Sequence, residues 1–166
     1  MEHSIPALVI GAIMIVSAVV IAQVANNSLE TVNQSWREME AISEERLGTE
    51  LSVLSTQVDA TNTQVTAVLT NEGRTSIGDF EAMDMIMNYD GADSQRHITW
   101  LPYTSAPPQD NTWTVTGISN DYHNPGVFDT GEQMTVLIQL NPATQAGPNR
   151  WLVLSTEAGV AYTVYF

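Results

Sequence analysis

"ALVIGAIMIVSAVVIAQVA" occupies Ala7–Ala25, nineteen residues without a charge and interrupted only by Gly11, Ser17 and Gln23. A helix rises about 1.5 Å per residue, so about twenty such residues cross the hydrocarbon core of a bilayer. A cleaved secretory signal would begin with basic residues and carry a shorter apolar run, whereas this chain begins "MEHS". The signal-peptide reading is therefore the weaker one. Loop charge gives no orientation, because the nearest basic residue is Arg37.

The apolar run does not end in a turn. Ala25, Leu29, Val32, Trp36 and Met39 follow at alternating spacings of four and three, which places them on one face of a continuing helix. Ile42 and Leu47 prolong the stripe, and Gly48 is a stop signal. Pro6 suits the first helical turn, where a missing N–H costs nothing. The spacing predicts one helix from about Ile5 to Leu47, within a first domain of residues 1–48. Its first half is apolar all round and needs lipid or other apolar helices on every side. Bulky Ile5, Leu8, Val9, Ile13, Ile15, Val16, Val19 and Val20 alternate there with small Gly11, Ala12, Ala18, Ala22 and Ala25. Small residues let helix backbones approach closely, so the predicted role is packing against copies of the same helix. A single-pass anchor with an amphipathic stalk is the alternative.

Five arginines, no lysine and nineteen acidic residues give a net charge of −14, which would repel phosphate backbones and argues against nucleic-acid binding. Glu2 is the sole formal charge before Glu30, so the acidity belongs to the rest of the chain. With no cysteine, neither disulfides nor thiolate metal sites are available, and stability must come from burial. The polar part is rich in Thr, Ser, Asn and Gln, a composition common outside the cell.

Past Gly48 the period becomes strand-like. "TELSVLSTQV", "QVTAVLTN", "EAMDMIMNY", "RHITWL", "NTWTVTGI", "EQMTVLIQL", "RWLVLST" and "AYTVYF" are short β-type runs bounded by Gly, Pro, Asn and Asp. Val65, Ala67 and Leu69 should share one face, as should Met134, Val136, Ile138 and Leu140. The predicted class is α+β: a long N-terminal hydrophobic α-helix, then an antiparallel immunoglobulin-like β-sandwich head over residues 49–166, with no further helix.

Chemistry is sparse. His3, His97 and His123 are scattered, and no phosphate loop, nucleophile elbow or metalloprotease helix occurs. The chain reads as a non-enzyme without a cofactor; a tethered hydrolase has only acidic loops in its favour. Those loops, "NYDGADSQ" and "DYHNPGVFDTGE", offer Asn88, Asp90, Asp93, Asp121, Asp129 and Glu132 as weak calcium candidates without EF-hand spacing. Asx turns account for them as well. Asn26 and Asn33 head formal glycosylation sequons on one helical face and could instead bond between helices.

This layout resembles the type IV pilin superfamily. Within it, "VTAVLTNEGRTSIGDFEAMDMIM" (Val65–Met87), "FDTGEQMTVLIQL" (Phe128–Leu140) and the closing "WLVLSTEAGVAYTVYF" resemble archaeal flagellins and their relatives in the archaellum stator. The resemblance implies a structural subunit of a motility or adhesion filament, built as a helical homopolymer. It implies membrane insertion before assembly, and a membrane platform and secretion ATPase as partners. A membrane-anchored stator protein binding a surface layer, and a minor or adhesive pilin, are the alternatives it carries. "MEHSIP" departs from the short basic leader such subunits usually carry. This points to a processed form or to insertion without cleavage, and no pilin role is transferred to Glu2.

Overall fold

The computed structural model describes residues 4–147 and 149–166, with side chains from residue 9 onward. Glu2, His3 and the packing of Ile5, Pro6 and Leu8 lie outside the described residues. Two units make up the chain, Met1–Ser43 and Glu44–Phe166.

Helix α1 runs Ser4–Gly48, 45 residues without interruption. At the standard rise that is about 67 Å. Its last turn belongs with the head. Four C-terminal carbonyls of any helix lack internal partners, and here partners reach those of Glu45, Arg46 and Gly48. Thr49 and Thr75 donate their hydroxyls to the Glu45 carbonyl (2.8 and 3.2 Å), and the Arg74 and Thr75 N–H groups bond to Gly48 (2.6 and 3.1 Å). Arg46 donates Nε to the Ala158 carbonyl at 2.7 Å. Gly48 is thus required by close approach, since a Cβ there would lie 2.6 Å from Thr75 Oγ1. A left-handed cap is not the reason.

Gly73 is tighter still. A Cβ there would collide with the Gly48 carbonyl and lie 2.5 Å from the Glu50 nitrogen, both backbone atoms that cannot swing away. Gly73→Ala should cost about 1–3 kcal/mol, like other overpacked sites, and lower the melting temperature by roughly 5 °C. Differential scanning fluorimetry of the detergent-solubilised chain measures it; an unchanged melting temperature would refute the clash.

The head comprises β1 (Leu51–Val58), β2 (Gln64–Asn71), β3 (Asp84–Asp90), β4 (Arg96–Leu101), β5 (Thr112–Ser119), β6 (Gln133–Gln139), β7 (Trp151–Ser155) and β8 (Ala161–Tyr165). All eight predicted runs become strands. The run "EAMDMIMNY" begins late, because Phe80–Ala82 form a 3₁₀ turn capped by Asp79, a short helix the sequence reading did not expect. Two four-stranded antiparallel sheets result, ordered β1-β2-β6-β5 and β4-β3-β7-β8. These match the A-B-E-D and C′-C-F-G orders of an immunoglobulin-like sandwich.

Alternation decides which faces meet. Val65, Ala67 and Leu69 of β2 and Met134, Val136 and Ile138 of β6 are buried, as predicted, with Leu140 just beyond. Against them lie Met85, Met87 and Tyr89 of β3 and Leu152 and Leu154 of β7, while Trp113 of β5 stands next to Ile138 in the first sheet. Unbranched methionines fill irregular gaps that β-branched residues would leave. Asn71, fully buried, donates Nδ2 to the Thr75 and Phe128 carbonyls (both 2.9 Å) and accepts from the Gly73 N–H (3.0 Å). It ties the end of β2 to two loops at no desolvation loss, because each polar atom has a partner.

Candidate functional site

The residues predicted to pack against other helices all sit on α1. Ile13, Val16, Val20 and Val24 are 61%, 62%, 51% and 60% exposed. Ala12, Ala18, Ala22 and Ala25 are exposed between them, and Gly11 partly so. Val9, Ile15 and Val19 are likewise exposed. An apolar surface this extensive is unstable against water. By length and composition α1 can cross a membrane.

Beyond Ala25 the large exposed apolar residues narrow to Leu29, Val32, Trp36 and Met39, continued by Ile42 and Leu47. Three polar side chains here bond within the helix. The Ser28 and Thr31 hydroxyls bond back to the Val24 and Asn27 carbonyls (2.9 and 3.0 Å), and Gln34 donates to Glu38 at 3.2 Å. Asn26 and Asn33 are exposed on this stretch.

Each acidic loop is organised internally. Asp90 accepts from Arg96 at 3.1 Å, and Asp93 meets His97 Nε2 at 3.0 Å, with the His97 ring stacked on buried Tyr89 (5.3 Å between centroids). Gly91 makes room for that pair: a Cβ there would lie 2.5 Å from Asp93 Oδ1. Asp121 accepts the Gly126 N–H and Asp129 accepts from Asn124, each at 2.8 Å, while Glu132 accepts the Asp129 N–H at 2.8 Å. Asn88 faces outward on β3 yet is buried between Ile98 and Trp151. His123 is exposed. Among the described residues no group of three or more His, Cys, Asp or Glu side chains is placed to hold a metal ion.

Three carboxyls are held below their ordinary range: Asp59 chiefly by the Thr61 hydroxyl, Asp93 by its bond to His97, and Asp129 by bonds from Ser76 and Asn124. A carboxyl lowered on folding stabilises the head fully above its ordinary value of 3.8 and loses that contribution as pH falls through the lowered native value. Asp93→Asn should therefore cost a small amount of stability at pH 7, where the contribution is present, and less and less as pH falls through the lowered value, which flattens the acid limb; the loss is small because exposed ion pairs contribute little. Urea unfolding at pH 3 and pH 7 measures this; an equal loss at both would show that the bond matters by its geometry alone.

One surface escaped sequence reasoning. On the outer face of β4-β3-β7-β8, Trp100, Ile86 and Val153 form one cross-strand row, and Ile98, Asn88, Trp151 and Tyr165 the next. Ile98, Trp100 and Tyr165 are 68%, 56% and 74% exposed. Trp100 Nε1 donates to Asp84 at 2.9 Å, which fixes the ring. The alternation in "RHITWL" was the signal, but it marks two faces without saying which one meets the core.

No family model matches the sequence, and no curated protein does. Among solved structures, the chain is similar to the archaellum periplasmic stator protein FlaG from Sulfolobus acidocaldarius, with a TM-score of 0.50 and 19% identity over 71% of this chain and 99% of that one. The stator protein complex FlaF and FlaG from the same organism gives a TM-score of 0.49 and 20% identity over 71% and 89%. Archaeal flagellin FlaB1 from Methanocaldococcus jannaschii gives 0.48 and 16% over 71% and 88%. At such identity the likeness to the stator protein is one of fold, and at that level it meets the resemblance read from the sequence.

Proposed function

We propose that this chain is a non-enzymatic structural component of an archaellum-like or type IV pilus-like machine, specifically a subunit of its surface filament. One observation carries the reading: α1 exposes apolar side chains on every side through Ala25 and along a single stripe beyond it. A bare anchor needs the first part, but nothing in lipid or water needs the second. A bundle of like helices uses both. On this reading the subunit waits in the membrane and then moves the Ile5–Ala25 surface into a core of identical helices. Lipid is already apolar, so the gain comes from packing of small and branched residues. A contact that repeats without closing yields an open helical fibre. The acidic heads then form its outside and keep fibres apart.

A second reading, a membrane-anchored stator-type protein, draws on the fold likeness to FlaG, which is analogy at the level of fold. Electron microscopy and protein quantification of material sheared from expressing cells separates the two. A filament subunit dominates the sheared fraction, whereas a stator-type protein stays with the membranes. Retention of nearly all the chain in membranes would end the filament reading.

A further inference from the structure

Strand edges offer unpaired N–H and C=O groups, and soluble proteins blunt them with bulges, charges or proline. The sandwich has four: β1, β5, β4 and β8. β1 is bulged between Val53 and Ser55, and β5 between Val115 and Gly117. β4 carries Arg96 and runs into Pro102. Strand β8, "AYTVY", has no bulge, charge, glycine or proline, and only its shortness protects it.

Its open side can be named atom by atom. Thr156 N–H bonds to the Val160 carbonyl (3.0 Å) and Phe166 N–H to the Arg150 carbonyl (3.1 Å). These bonds set the phase of the β7–β8 ladder, in which residues alternate between facing the partner strand and facing away. Tyr162 and Val164 bond to β7. Ala161, Thr163 and Tyr165 turn their N–H and C=O groups to the free edge. Beside that edge runs a groove of about 700 Å³, lined by Leu51 and Val53 of β1 and by Tyr162, Val164 and Phe166.

We propose that this edge pairs antiparallel with β8 of a second copy of the chain, about a two-fold axis at Thr163, joining two heads through one continuous sheet. The strand is complementary to itself in that register. Thr163 faces the partner's Thr163, Ala161 faces the partner's Tyr165, and Tyr162 faces the partner's Val164, so each aromatic ring meets a small or β-branched neighbour. Charge agrees. Arg150 lies over the Phe166 ring at one end of β8 (5.3 Å), and exposed Glu157 stands in the turn at the other. Antiparallel pairing brings each arginine end to the partner's glutamate end, twice. Parallel pairing would set like ends together. Glu157 is exposed yet partly desolvated, and with Glu45 and Asp79 nearby its carboxyl is held above its usual range, while Arg46 already donates to the Ala158 carbonyl of the same turn.

This inference goes beyond the helix-based reading and is independent of it. The chain has no cysteine, so single introduced thiols report contacts against a clean background. Full-length Thr163→Cys and Ser119→Cys, in mild detergent, are treated with a short bifunctional thiol reagent. Ser119, exposed on the β5 edge, is the control. The covalent dimer should form at least fivefold faster from Thr163→Cys, and equally fast when Ala18→Arg is added to disrupt helix packing. Equal rates at positions 163 and 119, or loss of the product in the Ala18→Arg background, would overturn the edge pairing. Neither result would bear on whether α1 assembles fibres.

Discussion

Cells producing Val16→Asp or Ala18→Arg should make no filaments, while the head stays folded. Val16 is in the middle of the apolar run, 62% exposed, and Ala18 is one of the small residues that permit close helix approach. A charge at the centre of a membrane helix costs roughly 2.5–3.5 kcal/mol on insertion scales. In a dry bundle of like helices an unpaired charge costs several kcal/mol more, and the cost recurs at every subunit. A fibre gaining a few kcal/mol per contact cannot absorb that. Electron microscopy of sheared material reads the loss, and the melting temperature of the detergent-solubilised chain, within about 1 °C of wild type, reads the intact head, since both positions belong to the other compact unit. Normal filaments from either variant would remove the helical core from the account.

Trp113→Ala should be the most damaging single change in the head. The side chain is fully buried, and Tyr103 meets it edge-on at 4.9 Å between centroids. Removing a buried Trp costs about 3–5 kcal/mol, against a total stability of about 5–15 kcal/mol for a domain. The expected drop in melting temperature is on the order of 10 °C. Trp113→Phe keeps an aromatic ring for Tyr103 and should lose less than half as much. Equal losses for Ala and Phe would mean that the packing is specific to the full indole.

Much was open to reading before any fold was known. The change of period at Gly48, the eight strands and the inward faces of "VTAVLTN" and "MTVLIQL" follow from local spacing, because a side chain's direction depends on backbone geometry within a few residues. The helix from Ile5 to Leu47 was legible for the same reason, and the structure extends it by one residue at each end. The acidic loops were harder. Composition suited calcium, but the partners that occupy Asp90 and Asp93 are Arg96 and His97 across the β3–β4 turn, and only the strand register brings them there.

By itself, then, the sequence determined the two materials of this protein, a rod apolar enough for lipid and an alternating chain that must form stacked sheets, because both are properties of short windows. Only the tertiary structure decided which strands became neighbours. The pairing of β2 with β6, the room Gly48 and Gly73 leave at the helix end, the outward turn of Ile98 and Trp100, and the unguarded edge of β8 all depend on that choice. Contacts between residues dozens of positions apart carry no local period, so they come into being only when the two sheets close on a common core.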